Sequence, residues 1–131
     1  MTSAQPPLLL DCTRMVARHW LRQMPSGIDR VCDAYARHFA PRAQAVVQVR
    51  GRARVLSRGQ SERLFDLLQT PGNSFRRSFA ALAARACTAG PWRGAGDARA
   101  IYLNVSHTDF DLDSHHGWVR ASGVQPVYLL H

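Results

Sequence analysis

Short runs of apolar residues alternate along this chain with longer segments in which apolar residues recur every three or four positions. The runs have the length of buried strands, and Pro, Gly and Asn residues separate them from the longer segments. Four strands are predicted from them, over residues 8–12, 45–49, 101–105 and 126–131. Residues 53–56 fit either a hairpin return or a short further strand.

The clearest helical pattern follows Ser26. Ser26 suits the N-cap position and Pro41 ends the element, while Asp33 and Arg37 are spaced to form an ion pair one turn apart. The apolar residues repeat with the spacing of one buried helix face: Ile28, Val31, Cys32, Tyr35 and Phe39. Further helices are predicted over 58–69, 75–87 and 114–121, and residues 13–24 are compatible with a helix that carries Arg14, Arg18 and Arg22 at every fourth position.

Strands that alternate with helices predict an α/β domain, with a parallel sheet covered by helices on both faces. In such sheets ligands bind beyond the carboxyl ends of the strands. The segments that follow these ends are 11–27, 106–109 and His131. Because the chain stops on its last strand, with no loop after it, we expect a truncated chain.

Composition indicates one domain over residues 1–131, since 46% of the residues are hydrophobic and 20% are charged. No apolar run approaches the roughly 20 residues of a membrane-spanning helix. The run Leu8-Leu9-Leu10 is too short for a signal peptide, so we expect a cytoplasmic protein. Cys12, Cys32 and Cys87 form no disulfide or zinc pattern, and we expect them to be small buried side chains.

The formal charge is +8, and all 17 basic residues are arginine. Arginine binds phosphate well because its planar fork holds oxyanions with two hydrogen bonds. The arginines are nevertheless spread over nearly every segment, which favours codon usage in a GC-rich genome as the explanation. The densest cluster lies between Arg50 and Arg63 and has no alternating aromatic residues, so we do not expect nucleic-acid binding there.

Three segments resemble group 1 glycosyltransferases. Residues 25–31, Pro-Ser-Gly-Ile-Asp-Arg-Val, are similar to the G-I-x-R-[VY] opening of that family. Residues 101–107, Ile-Tyr-Leu-Asn-Val-Ser-His, and 127–131, Val-Tyr-Leu-Leu-His, resemble the family's two central strands. Order and spacing agree over nearly the whole chain. One departure is the glycine-rich loop after the first strand, which is reduced here to Gly27 and an inserted basic segment, 13–24.

The resemblance implies a Rossmann-like, acceptor-side domain that forms the N-terminal half of a GT-B architecture, with the donor-binding C-terminal domain absent. Such enzymes transfer a sugar from a nucleotide-sugar donor to a hydroxyl of a glycan or lipid-linked acceptor in polysaccharide biosynthesis, and they need no metal or other cofactor. This chain alone is expected to be inactive.

The resemblance also implies site residues. His107 matches the histidine that lies beside the transferred sugar, where it would bond to the sugar or act as a base on the acceptor hydroxyl. Gly27 and Arg30 would support the donor phosphates or shape their loop. The same strand ends add Thr108, Asp109 and His131 as substrate-binding candidates.

Three alternatives accompany this interpretation. A metal site built from Asp109, Asp111 and Asp113 with nearby histidines is not expected, because the spacing fails the EF-hand pattern. A basic amphipathic surface could contact the inner face of a membrane through Arg14, Arg18, Trp20 and Arg22. The competing function is a non-enzymatic, arginine-rich α/β module that binds nucleic acid or an anionic surface, with steep salt dependence.

Overall fold

The computed structural model describes residues 6–49, 52–70, 72–88, 99–105 and 113–129. Ten elements lie within these ranges. The strands are β1 (Leu8–Asp11), β2 (Ala43–Val49), β3 (Arg52–Val55), β4 (Ile101–Asn104) and β5 (Gln125–Tyr128). The helices are α1 (Thr13–Trp20), α2 (Gly27–Phe39), α3 (Arg58–Gln69), α4 (Phe75–Thr88) and α5 (Asp113–Ser122).

The five described strands form one mixed sheet with the order β3-β2-β1-β4-β5. The four strands β2, β1, β4 and β5 are parallel, as predicted. β3 differs, because it returns from β2 as an antiparallel hairpin strand at the sheet edge. Only the residues 50 and 51 separate these two strands, which is too short a connection for a parallel crossover. The fold is therefore α/β and Rossmann-like, with one antiparallel edge.

Both faces of the sheet carry helices, which confirms the predicted layering. The larger core contains residues of β1, β2 and β4 packed against α1 to α4, with Leu64 and Phe65 of α3 among its buried members. On the opposite face Leu9, Val46 and Tyr102 pack against α5. In the sheet, β2 lies on one side of β1 and β4 on the other, and the helices that follow β1 and β4 lie on opposite faces.

Local sequence signals explain where the helices begin. The side chain of Ser26 accepts a hydrogen bond from the backbone N–H of Asp29, and Asp29 accepts one from the backbone N–H of Ser26, which forms a capping box at α2. Ser57 and Gln60 form the same box at α3. The N-cap predicted at Ser26 is confirmed. Gly123 follows the end of α5 with φ +70°, the left-handed conformation that glycine adopts readily.

Helix α1 ends earlier than the sequence pattern suggests. The N–H of Gln23 donates to the carbonyl of Arg18 and the N–H of Arg22 to that of His19, which is a Schellman C-terminus. This motif places Arg22 in the left-handed region with φ 56°. Glycine usually occupies that position, because the conformation costs a residue with a Cβ roughly 1–2 kcal/mol. The helix therefore stops at Trp20, and residues 21–24 lead to α2.

Leucine-to-alanine substitutions should lower the free energy of unfolding strongly at buried positions and little at exposed ones. Leu64 is fully buried, so Leu64→Ala should lower the free energy of unfolding by about 2–5 kcal/mol through lost burial and a residual cavity. Leu21 is 58% exposed, and Leu21→Ala should change it by less than about 0.5 kcal/mol. Urea denaturation measures both, and equal losses would contradict the described core.

Candidate functional site at the carboxyl edge of the sheet

A buried carboxylate lies where the parallel strands end. Asp11 is the last residue of β1 and is 4% exposed. Its Oδ1 accepts a 2.9 Å hydrogen bond from the backbone N–H of Thr13, which is the first residue of α1. Its Oδ2 accepts hydrogen bonds from the side-chain amide of Gln48 and from the hydroxyl of Tyr102. One carboxylate therefore joins β1, β2, β4 and α1.

Three further hydrogen bonds extend this network. The hydroxyl of Tyr102 accepts hydrogen bonds from Gln48 Nε2 at 3.0 Å and from Asn104 Nδ2 at 3.2 Å. The hydroxyl of Thr13 accepts one from the backbone N–H of Gln48 at 2.8 Å. Tyr102 and Asn104 occupy alternate positions of β4, so their side chains lie on the same face of the sheet. This is the face covered by α5, where Trp118 packs edge-on against Tyr102. These hydrogen bonds hold the ends of β1, β2 and β4 together.

Burial sets the ionisation of this network. Burial raises the pKa of Asp11 above its usual value, although hydrogen bonds from Tyr102, Thr13 and Gln48 act in the opposite direction. Burial and the neighbouring carboxylate also raise the pKa of Tyr102, so its hydroxyl stays protonated and keeps donating to Asp11. Since both oxygens of Asp11 already accept hydrogen bonds, this carboxylate is suited to hold the edge together and not to take a proton from a substrate.

A second cluster fixes α2 beside this edge. Arg14, in the first turn of α1, donates from Nε to Asp29 at 2.8 Å, and its Nη2 lies 3.4 Å from Ser26 Oγ. Burial raises the pKa of Asp29, but hydrogen bonds from Ser26 and Arg14 outweigh it and hold the pKa below its usual value. Because α1 follows directly from β1, this ion pair holds the N-terminus of α2, with Gly27, close to the carboxyl edge.

The site residues implied by the resemblance fall into two groups. Gly27 is the first residue of α2 and Arg30 lies in its first turn, and both are exposed. The other candidates lie outside the described residues: His107, Thr108, Asp109 and His131. The structure thus brings Gly27 and Arg30 to the carboxyl edge and describes β4 and β5 up to the strand ends that precede the two histidines.

Gly27 has open space around it. A Cβ built at this position would meet no atom within 4 Å, and the same holds for Gly59 near the start of α3. The fold therefore places no steric demand for glycine at position 27.

The basic stripe on α1 is divided between the interior and the surface. Arg14 pairs with Asp29, and Arg18 is buried and donates to both carboxylate oxygens of Asp33 at 3.2 Å. Trp20 and Arg22 are exposed. Asp33 pairs across the helices, so the ion pair predicted between Asp33 and Arg37 does not form.

Two of the three cysteines are described as buried free thiols, as predicted. Burial raises the pKa of Cys12 well above its usual value and that of Cys32 to about 11, so both remain protonated. The side chain of Cys87 lies outside the described residues, as do those of Asp109, Asp111 and Asp113. Within the described part of the chain, no group of three or more His, Cys, Asp or Glu side chains could hold a metal ion. No described helix is long and apolar enough to cross a membrane.

Sequence reasoning missed the network around Asp11. The signal was present, because Gln48 and Asn104 interrupt apolar strands and Asp11 ends one. Strand order decides which of these polar residues come into contact. The hydrophobic pattern of a single strand does not predict the order β2-β1-β4.

No protein-family model matches this chain, and comparisons with curated proteins and with solved structures give no match either. The resemblance to glycosyltransferases therefore rests on the motifs in the sequence.

The two buried aspartates should give opposite pH dependence. The folded-state pKa of Asp11 is raised, so its contribution to stability is greatest below pH 3.8 and is lost as the pH rises through the folded value. The folded-state pKa of Asp29 is lowered, so its contribution is present above pH 3.8 and is lost as the pH falls through the folded value. The stability lost in Asp11→Asn should therefore shrink with rising pH, and that lost in Asp29→Asn should grow.

Urea denaturation of both variants and the unsubstituted chain, between about pH 3 and 7, measures these differences. Each variant serves as the control for the other, because both lose one carboxylate. Parallel pH profiles would contradict the described environments.

Proposed function

We propose that this chain is the acceptor-side half of a GT-B glycosyltransferase, which transfers a sugar from a nucleotide-sugar donor to an acceptor hydroxyl at the carboxyl edge of the sheet. The observation that carries the proposal is the pairing of β4 with β5. The strands are parallel neighbours, and Asn104 pairs in register with Tyr128. His107 and His131 each follow one of these paired residues by three positions. The segments that lead to the two histidines therefore start from paired residues at the same end of the sheet.

The position of α2 supports the same site. The Arg14–Asp29 ion pair holds the N-terminus of α2 beside the end of β1, where Gly27 and Arg30 are exposed. The N-terminal end of a helix carries partial positive charge, which suits the pyrophosphate of a nucleotide sugar. Since a Cβ would fit at Gly27, a close approach of the ligand is a reason for glycine there.

The outer strand of the described sheet, β5, supports the presence of a second domain in the enzyme. Within the described residues β5 pairs on one side only, with β4, and Val127 is 41% exposed on it. A cleft of about 350 Å³ next to β5 is lined mainly by apolar side chains, among them Tyr35, Phe39 and Leu129. Exposed apolar surface of this kind is typical of a face that other structure covers. In the proposed enzyme, the donor-binding half is the structure that this face would contact.

The proposed chemistry is the replacement of one bond to the anomeric carbon by another. The acceptor oxygen forms a bond to that carbon, the bond to the nucleoside diphosphate breaks, and the acceptor hydroxyl loses its proton. His107 takes that proton as a base, or it hydrogen-bonds to the transferred sugar while the departing diphosphate takes the proton. Thr108, Asp109 and His131 bind the substrate. The hydrogen bonds to Asp11 hold in place the strand ends from which these residues follow.

The histidine assignment is tested in the enzyme that contains both halves. His107→Ala should lower the rate of sugar transfer by about 10²–10⁴-fold, the usual contribution of general acid–base catalysis. His38→Ala is the matched control, because His38 is exposed on α2 at the far end from Gly27. Transfer from a panel of radiolabelled nucleotide sugars to membrane extracts measures both. Equal rates for the two variants would overturn the role of His107.

Gly27 and Gly59 offer a matched pair for the donor site. Either glycine replaced by alanine should leave stability unchanged or raise it by up to about 1 kcal/mol, because each lies in the first turn of a helix with space for a Cβ. Only Gly27→Ala should raise the KM for the nucleotide sugar, since only that methyl group would stand between the helix and the phosphates. Thermal denaturation and steady-state kinetics check the two effects, and an unchanged KM would remove Gly27 from the site.

A further inference from the structure

A polar cavity lies between the end of α1 and the beginning of α4, apart from the Gly27 end of α2. Its volume is about 330 Å³, and its lining includes Arg18, His19, Arg22, Asn73 and Arg76. Three of these residues are arginines, two from the end of α1 (Arg18 and Arg22) and one from the first turn of α4 (Arg76). The only described acidic residue that pairs with any of them is Asp33, which pairs with Arg18. The cavity therefore carries an excess of positive charge.

Arg22 occupies a position that its backbone disfavours. It lies in the left-handed region with φ 56°, at the point of the Schellman motif where glycine is usual. An arginine there is costly for the folded chain, and nothing in the packing requires it, since Arg22 is exposed. The side chain it adds contributes charge to the cavity.

Arg76 is fixed in place on the opposite wall. Its Nε donates to the carbonyl of Trp20 at 2.7 Å, and its guanidinium carbon lies 5.5 Å from the centre of the Trp20 ring. A guanidinium held in this way loses little conformational freedom when it binds an anion.

The N-terminal end of α4 adds to the positive potential. Gly72, Asn73 and Phe75 line the cavity where this 14-residue helix begins, and its first turn contains no acidic residue. A helix N-terminus carries partial positive charge. The helix end and the arginines therefore act on the same space.

Arg18 forms part of the cavity wall and is held there by its ion pair with Asp33. The residue is 8% exposed and lines the cavity. Its Nη2 donates to Asp33 and lies 3.1 Å from His19 Nε2, but its Nε has no hydrogen-bond partner, alone among the buried side-chain nitrogen and oxygen atoms of the described residues. A buried, charged donor without a partner is costly, and an anion in the neighbouring cavity would lower the electrostatic cost of this guanidinium.

We infer that this cavity is a binding site for a phosphate-type oxyanion, carried either by a soluble phosphate ester or by a lipid headgroup. The guanidinium groups match the fork geometry that arginine uses for phosphate. Leu21 and Met24 are 58% and 87% exposed on the segment that follows Arg22, which would let a headgroup reach the cavity while these side chains enter the bilayer. The site does not depend on sugar transfer by this chain.

Inorganic phosphate is the first probe. Titration of the ¹⁵N-labelled full chain at constant ionic strength, with chloride as the replaced anion, should shift the Nε–H signals of Arg18, Arg22 and Arg76. Arg22→Gly should weaken phosphate binding by about tenfold, the effect of losing one charge-assisted hydrogen bond. The same variant should raise the melting temperature by about 3–5 °C, because glycine removes the backbone cost at this position. A structural role alone would not lower affinity while raising stability.

Arg63→Gln is the matched control for charge. Arg63 is exposed on α3 outside this cavity, so its loss removes one positive charge and should leave phosphate affinity unchanged. Arg76→Gln should weaken binding as Arg22→Gly does. Equal weakening by Arg63→Gln would show a diffuse effect of net charge and would overturn the site, as would the absence of any binding of phosphate and of vesicles.

Vesicles distinguish the two sources of the anion. Sedimentation with phosphatidylcholine vesicles that contain phosphatidic acid, reduced by Arg22→Gly and by added phosphate, would support a headgroup. Phosphate binding with the same dependence on Arg22, without sedimentation with these vesicles, would support a soluble phosphate ester.

Discussion

The Asp11 carboxylate is the interaction on which the arrangement of this domain's carboxyl edge depends. Three strands and the first helix meet at one buried group: β1 supplies the carboxylate, and β2, β4 and α1 each supply one donor to it. A carboxylate buried without a cation is costly, so it persists only where hydrogen bonds replace the lost water. That requirement fixes the relative positions of β1, β2 and β4 at the end where the loops leave the sheet.

The α1–α2 pair extends this order towards the surface. Arg14 binds Asp29 and Arg18 binds Asp33, so two ion pairs spaced by one helical turn hold the helices side by side. The first pair positions the N-terminus of α2 at the carboxyl edge of the sheet. The second fixes the Arg18 guanidinium on the wall of the polar cavity. One short helix therefore connects the two surfaces to which the proposals assign functions.

The arginines that give the chain its high positive charge differ in whether they pair with an acidic residue. Arg14 and Arg18 neutralise partly or fully buried carboxylates and act as structural residues. Arg22 and Arg76 line a cavity without an acidic partner among the described residues. Codon usage can explain why the basic residues are arginine, but it does not explain an arginine at the left-handed position of a helix terminus.

Local signals determined much of the architecture. Apolar runs marked the strands, Ser26 marked the start of α2, and the pattern over 58–69 matched α3 to the residue. Such features depend on neighbours within a few positions, so the sequence contains them directly. The antiparallel direction of β3 was left open by the pattern, because both a hairpin and a further strand show the same alternation.

Partners that lie far apart in the chain were decided by the tertiary structure alone. Asp33 has Arg37 one turn away, yet it pairs with Arg18, because the packing of α1 against α2 buries that guanidinium. Asp11 meets Tyr102 only because strand order places β4 beside β1. The sequence by itself determined most of the elements and the α/β class, and the resemblance to glycosyltransferases rests on it alone. The tertiary structure decided which charges face each other, because electrostatic and hydrogen-bond partners follow distance in space, which separation along the chain does not report.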